Sequence, residues 1–84
     1  MHEVYLARAA ERDLRRLRRE EFQQIIAVIK ALAEDPRPRG CRKIAGSKSD
    51  WRIRVGAQRV IYEIDDEAKA VRVMRIRHRR EAYR

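Results

Sequence analysis

Between Phe22 and Ala33 the apolar residues Phe22, Ile25, Ile26, Ile29, Leu32 and Ala33 recur at offsets of 0, 3, 4, 7, 10 and 11, the spacing that lines one face of an α-helix. Glu20 and Glu21 suit the positive end of its dipole. The helix must stop at Asp35-Pro36-Arg37-Pro38-Arg39-Gly40, because a proline disfavours helical geometry in the residue before it and Pro38 and Gly40 prevent a restart. Upstream, Ala10, Leu14 and Leu17 keep helical spacing within a segment from Ala7 to about Leu17, with charged residues between them. The two segments predict a helical hairpin. Before it, His2 to Leu6 reads as a possible short strand, with Val4 and Leu6 on one side and Tyr5 between them.

From Cys41 onward the period changes to two. Trp51, Ile53 and Val55 point one way and Arg52 and Arg54 the other, and Gly56-Ala57-Gln58 connects to a strand in which Val60, Tyr62 and Ile64 alternate with Arg59, Ile61 and Glu63. After the polar turn Asp65-Asp66-Glu67-Ala68, residues 70 to 77 form a third β run carrying Val71, Val73, Met74 and Ile76. Three tightly connected strands predict an antiparallel meander. Helices first and sheet afterwards indicate an α+β fold in which the helical hairpin covers one face of a small antiparallel sheet, a single domain over residues 1 to 84. Trp51 and Tyr62 share parity with aliphatic neighbours and are expected in the core.

Composition narrows the function. The formal net charge is +9, and its distribution is uneven: residues 1 to 35 balance seven basic side chains against seven acidic, whereas residues 36 to 84 hold fifteen basic and six acidic. Such a field attracts polyanions by releasing their counterions. Nearly all of it is arginine, whose planar fork suits bidentate phosphate contacts. A single cysteine, Cys41, permits neither an internal disulfide nor a cysteine-rich zinc site. His2 and His78 lack further ligands at suitable spacing, so no metal or cofactor is expected. With no apolar run long enough to span a bilayer and no secretion-type N-terminus, the expected location is the cytoplasm, away from membranes.

Alternation leaves a specific set of side chains on the uncovered sheet face. Arg52 and Arg54 lie on one strand, Arg59 begins the next, and Arg75, Arg77 and Arg79 share a parity on the last. Like charges opposite one another cost stability, which a domain with a small core tolerates best if an anion binds between them. The alternative is a solvated face balanced by Glu63, Asp65 or Asp66. Lys43 and Lys48 add to the basic half and, together with Arg52, Arg54 and Arg77, are candidate contacts for a polyanion, whether RNA, DNA or an acidic protein segment. His78 shares parity with Met74 and Ile76 and reads as a structural histidine more readily than a catalytic one.

The stretch Trp51-Arg-Ile-Arg-Val-Gly-Ala-Gln-Arg-Val-Ile-Tyr-Glu-Ile64, followed by Arg75-Ile-Arg-His-Arg-Arg-Glu-Ala-Tyr-Arg84, resembles the C-terminal half of RelE-type toxins of the RelE/ParE family. The Leu14-Arg-Arg-Leu17 helix, the long second helix and the Asp35-Pro36 break follow the same layout. The resemblance implies a metal-independent endoribonuclease that enters the ribosomal A site, cuts mRNA there and so inhibits translation. It further implies a cognate acidic, RelB-like antitoxin, with operator DNA bound only through the antitoxin complex. Mapped by motif, the catalytic set is Arg52, Arg54, Arg59, Arg79 and Tyr83: Arg52 and Arg54 hold the RNA backbone, Arg59 stabilises the phosphate, Arg79 sits by the leaving group, and Tyr83 stacks on or orients a base.

Some relatives carry lysines where this chain has Arg52 and Arg54, and arginine does not readily act as a base. Proton removal then falls to Tyr83, His78, a water or ribosomal RNA, or to Glu63 if its strand brings it near Arg59. Two alternatives stay open, the first on the same fold though such chains generally lack the Arg52, Arg59, Arg79 and Tyr83 set, the second explaining the charge equally well. One is a ParE-like toxin that poisons DNA gyrase without nuclease activity, and the other is a non-enzymatic nucleic-acid-binding domain.

Overall fold

The computed structural model describes residues 1–47 and 49–78. Its elements in chain order are β1 (Glu3–Leu6), α1 (Arg8–Arg15), α2 (Arg19–Glu34), β2 (Arg42–Lys43), β3 (Asp50–Val55), β4 (Gln58–Asp65) and β5 (Ala70–His78). The predicted meander β3-β4-β5 forms the middle of a five-stranded sheet in the order β1-β5-β4-β3-β2. Two edge strands enlarge it. β2 pairs antiparallel with β3, and β1 pairs parallel with β5, so the sheet is mixed. A parallel pair needs a crossover, and the helical hairpin supplies it.

The hairpin's apolar stripe is buried against one sheet face. Ala10 and Leu14 of α1, Ile25, Ile29 and Leu32 of α2, Val60, Tyr62 and Ile64 of β4, and Val71, Val73 and Ile76 of β5 make the core, with Leu17, Trp51, Ile53 and Val55 packed against it. Phe22 is the exception to the predicted stripe: it lies in the first turn of α2 and stays 40% exposed. Asp35 ends α2 in extended geometry at φ −141° and ψ 98°, as the following proline requires.

Two local features decide which side chains face outward. The connection from β3 to β4 is a two-residue turn, Gly56-Ala57, and Gln58 already pairs with Val55. Gly56 has φ +61°, the left-handed geometry that glycine adopts without strain at the first position of a tight hairpin turn. On β5 the register slips: Ile61 pairs with Arg75 but Tyr62 pairs with Val73, leaving Met74 as a bulge. An unbroken strand would place Val73 and Ile76 on opposite faces. The bulge restores both to the core and leaves Arg72, Arg75 and Arg77 together on the other side.

α1 also closes an edge. β1 stops pairing with β5 at Leu6, opposite Val73, which leaves the rest of β5 without a strand on that side. Asp13 fills the gap: its carboxylate accepts the Ile76 backbone N–H at 2.9 Å and Arg75 Nε–H at 2.9 Å. Unpaired strand edges invite foreign chains, and here a helix residue satisfies the edge donor.

Candidate functional site

On the face away from the helices, strand pairing sorts the arginines into rows, because directly paired residues share a face. Arg54 pairs with Arg59, and Arg59 pairs with Arg77, giving three guanidinium-bearing positions side by side across β3, β4 and β5. The next row along the strands runs Arg42, Arg52, Ile61 and Arg75. A third row, Asp50, Glu63, Arg72 and Tyr5, closes the far end. The face is therefore polarised: arginine at one end, carboxylates from β4 and the Asp65–Glu67 turn at the other.

A groove of about 440 Å³ opens at the basic end, lined by Arg39, Gly40, Arg42, Arg52, Ile53, Arg54 and Arg59. Arg54 is exposed and Arg52 partly so, whereas Arg59 is only 3% exposed. A guanidinium so enclosed is restricted by its surroundings, whereas the more exposed arginines at the rim can turn toward an anion in the groove. Cations fixed in advance, at the site where negative charge accumulates, reorganise little when it does.

Arg39 and Arg42 were not among the residues singled out by sequence reasoning. They arrive through the loop after α2, which is tied down at three points. Tyr62 OH donates to the Pro36 carbonyl at 2.8 Å. Arg37 forms a two-pronged ion pair with Asp66, with Nη2 to Oδ2 at 2.8 Å and Nη1 to Oδ1 at 3.3 Å, and it stacks 5.2 Å from the centre of the Trp51 ring. Two residues later the chain presents Arg39, and Gly40 turns it at φ +94°. The density of Arg and Pro in this loop is the available signal, and on sequence alone it marks only a helix stop.

The remaining candidates divide as follows. Arg52, Arg54 and Arg59 come together in the groove, and Arg77 stands next to Arg59 in the same row. Lys43 pairs with Trp51 and so falls on the opposite face from Arg42; a one-residue offset in a strand removes it from the groove. Glu63 lies four residues from Arg59 on β4, about 13 Å along the strand, and lines a different cavity with Tyr5, Glu67 and Arg72; it is not beside Arg59. His78 pairs with Gln58 and shares a small cavity with Asp13, Arg16, Leu17, Glu21 and Ile76, on the helix side of the sheet as its parity predicted. Lys48, Arg79 and Tyr83 lie outside the described residues.

Arg75 shares the outer face but bends around the edge of β5 to Asp13. Burial pushes the Asp13 carboxyl up; the hydrogen bonds from Arg75 and the Ile76 N–H, with the nearby charges of Arg75 and Arg77, outweigh it and hold the pKa below the usual carboxylate value. At the turn between the helices, the Gln58 side chain donates to Glu21 at 3.2 Å and the Arg18 backbone N–H donates to the same carboxylate at 3.2 Å. These contacts lower the Glu21 pKa and fix the β3–β4 hairpin to the start of α2. Among the described residues, no group of His, Cys, Asp and Glu side chains could hold a metal ion, and no helix is long and apolar enough to cross a membrane.

A helical hairpin on one face of a mixed sheet, with a cluster of arginines on the other, defines a small α+β domain with one strongly basic face. The family model described as the ParE toxin of the type II toxin-antitoxin system, parDE, matches residues 4–83, and the chain belongs to that family of RelE/ParE-type toxins. Solved structures agree on the fold. The archaeal RelE in its RelE–RelB complex from Pyrococcus horikoshii superposes with a TM-score of 0.83 at 22% identity, over 93% of this chain and 94% of that one. The RelBE2 toxin–antitoxin complex from Mycobacterium tuberculosis gives 0.81 at 25% identity over 92% and 96%, and the isolated Escherichia coli RelE toxin gives 0.81 at 20% over 99% and 96%. No match was found among curated protein sequences.

Proposed function

We propose that this toxin is a ribosome-dependent endoribonuclease that cleaves mRNA in the A site and stops translation. The observation that carries this reading is the groove on the open sheet face lined by Arg52, Arg54 and Arg59, with Arg77 next to Arg59 in the same row. In such a reaction the ribose 2′-oxygen bonds to the adjacent phosphorus while the bond from phosphorus to the 5′-oxygen breaks. The 2′-proton must leave, the 5′-oxygen must gain one, and the extra negative charge on the phosphorane must be balanced. Arg59 suits the last task, with Arg52 and Arg54 holding the backbone on either side. Arg79 is assigned to the leaving oxygen and Tyr83 to stacking on a base.

The groove offers only guanidiniums among its described polar side chains, and guanidinium is a poor base. The proton acceptor in this scheme is Tyr83, a water or ribosomal RNA. That requirement supports a toxin active only on the ribosome, where the RNA is positioned and further functional groups are supplied. The toxin would act in the cytoplasm, be held inactive by a cognate acidic RelB-like antitoxin, and meet operator DNA only within that complex. RelE–RelB and RelBE2 assemblies of similar folds support such a partner.

A second reading, poisoning of DNA gyrase without RNA cleavage, is favoured by one observation: the matching family model is that of ParE. Induced expression without antitoxin separates the two. Translation arrest within minutes with mRNA cut inside codons is the expected result; loss of supercoiling with intact mRNA would establish the gyrase reading instead. Arg59→Lys and Arg79→Ala should each sharply reduce toxicity under the nuclease reading, with the far-ultraviolet circular dichroism spectrum unchanged.

A further inference from the structure

The open sheet face has a second concave region, at its acidic end. A cavity of about 720 Å³ lies there, walled by β1, β4, β5 and the turn between the last two, a size at which pockets hold a small ligand or a few side chains. Ala70 contributes to its depth: it stands in register between Asp65 on β4 and Glu3 on β1, so only a methyl group fills the middle of that row. Tyr5 and Leu6 line the cavity and remain 53% and 36% exposed. The Tyr5 hydroxyl donates to Glu3, which orients the ring.

Its charge runs against that of the whole chain, which is +9. Asp50 pairs directly with Glu63, so carboxylates oppose one another here as arginines do at the other end, and such opposition costs stability. Arg72 takes the next position in the row, paired with Glu63, yet makes no ion pair with it. Among the described residues, Glu63, Asp65 and Glu67 have no cationic group within ion-pair distance. A chain with 22 Lys and Arg thus leaves these carboxylates without an internal counterion.

We propose that this cavity docks a basic protein segment in which lysine or arginine alternates with apolar side chains. The carboxylates attract its cations, Tyr5 and Leu6 supply the apolar contact that the centre of a protein interface needs, and the Tyr5 ring offers a face to a cation. Other occupants fit less well. Nucleic acid would bring phosphates to three unpaired carboxylates and one guanidinium. A metal ion finds no ligand set among the described residues. A second copy presenting its groove brings arginines without large apolar neighbours, since the exposed large hydrophobics among the described residues are Met1, Tyr5, Leu6 and Phe22, none of them in the groove. Glu63 and Arg59 stand about 13 Å apart along β4, so a basic segment and an anion in the groove can be held together. The inference does not depend on whether that anion is RNA.

The test titrates two capped hexapeptides into the full chain, one of alternating lysine and leucine and one of alternating lysine and glycine. Calorimetry reads the affinity, and the NMR shifts of Tyr5, Leu6 and Arg72 locate the site. The lysine–leucine peptide should bind several-fold more tightly than lysine–glycine and shift those three residues. Glu63→Gln combined with Glu67→Gln should weaken it on the order of tenfold, whereas Arg72→Gln, which removes the cation beside Glu63, should tighten it about threefold. Damage to the fold would not move the two variants in opposite directions. Equal binding by the parent and the double glutamine variant overturns the inference, as do equal affinities for the two peptides or shifts confined to residues outside the cavity. Dimerisation of the parent in sedimentation equilibrium, lost in the double glutamine variant, would assign the cavity to a second copy and overturns it as well.

Discussion

Arg54 on β3 stands directly opposite Arg59 on β4, so two guanidinium-bearing residues occupy neighbouring positions on one sheet face. Opposed like charges in a sheet are destabilising by a fraction of a kcal/mol to about 1 kcal/mol. A residue retained for function at the cost of stability shows itself when the two are separated by mutation. Arg54→Gln should therefore leave the thermal midpoint unchanged or slightly raised while lowering RNA cleavage about 10- to 100-fold. Thermal unfolding and a cleavage assay on the same preparation check both halves, and a fall in stability with full activity would contradict the assignment.

Arg59 differs from Arg54 in being enclosed, so its replacement must respect volume. Arg59→Lys keeps the charge but loses the planar fork that can hold two phosphate oxygens at once. Cleavage should fall on the order of 10²-fold with the far-ultraviolet circular dichroism spectrum unchanged. Near-normal cleavage by this variant would remove Arg59 from the centre of the mechanism.

Asp13 gives a pH dependence of defined sign. Its folded pKa lies below the ordinary carboxylate value, so its contribution to stability is present above the unfolded pKa and disappears as pH falls through the folded pKa. Asp13→Asn should cost about 2 kcal/mol near neutral pH, since Arg75 is partly exposed and its half of the interaction is screened. The difference between parent and variant should shrink on acidification below about pH 4. Urea unfolding across that range measures it; a difference that grows on acidification would mean that another group controls the transition.

Tyr62 ties the sheet core to the loop that carries Arg39. Tyr62→Phe removes the donor to the Pro36 carbonyl and should lower stability by about 1 kcal/mol. Loosening of that loop should also raise KM for RNA several-fold with kcat little changed. Asp66→Asn, which weakens the Arg37 pair at the exposed side of the same loop, should raise KM in the same direction with almost no change in the unfolding midpoint. A change confined to kcat in either variant would show that the loop does more than present Arg39.

Most of the architecture could be read from the chain because its signals were local and periodic. The α2 stripe, the proline stop and the alternation around Arg52, Arg54 and Arg59 each depend on a few consecutive residues, and each corresponds to an element of the structure. What was missed depended on partners distant in sequence. β1 itself is legible as a short strand, but its parallel pairing with β5 is set by the crossover. The bulge at Met74 is a mismatch between two strands, invisible in either one alone. Lys43 and Arg42 were indistinguishable as basic residues until the pairing of β2 with β3 put only Arg42 on the groove side. Arg39 joined the site through Tyr62, Arg37 and Asp66, contacts that close over 26 and 29 residues of chain.

The most direct test of the groove as a nuclease site is mapping of RNA ends on purified translating ribosomes incubated with the protein. The account predicts new 5′ ends inside the A-site codon, matched by upstream fragments ending in a 2′,3′-cyclic phosphate, and their disappearance with Arg59→Lys. Intact mRNA on ribosomes, from a preparation that still arrests growth when expressed, would contradict it.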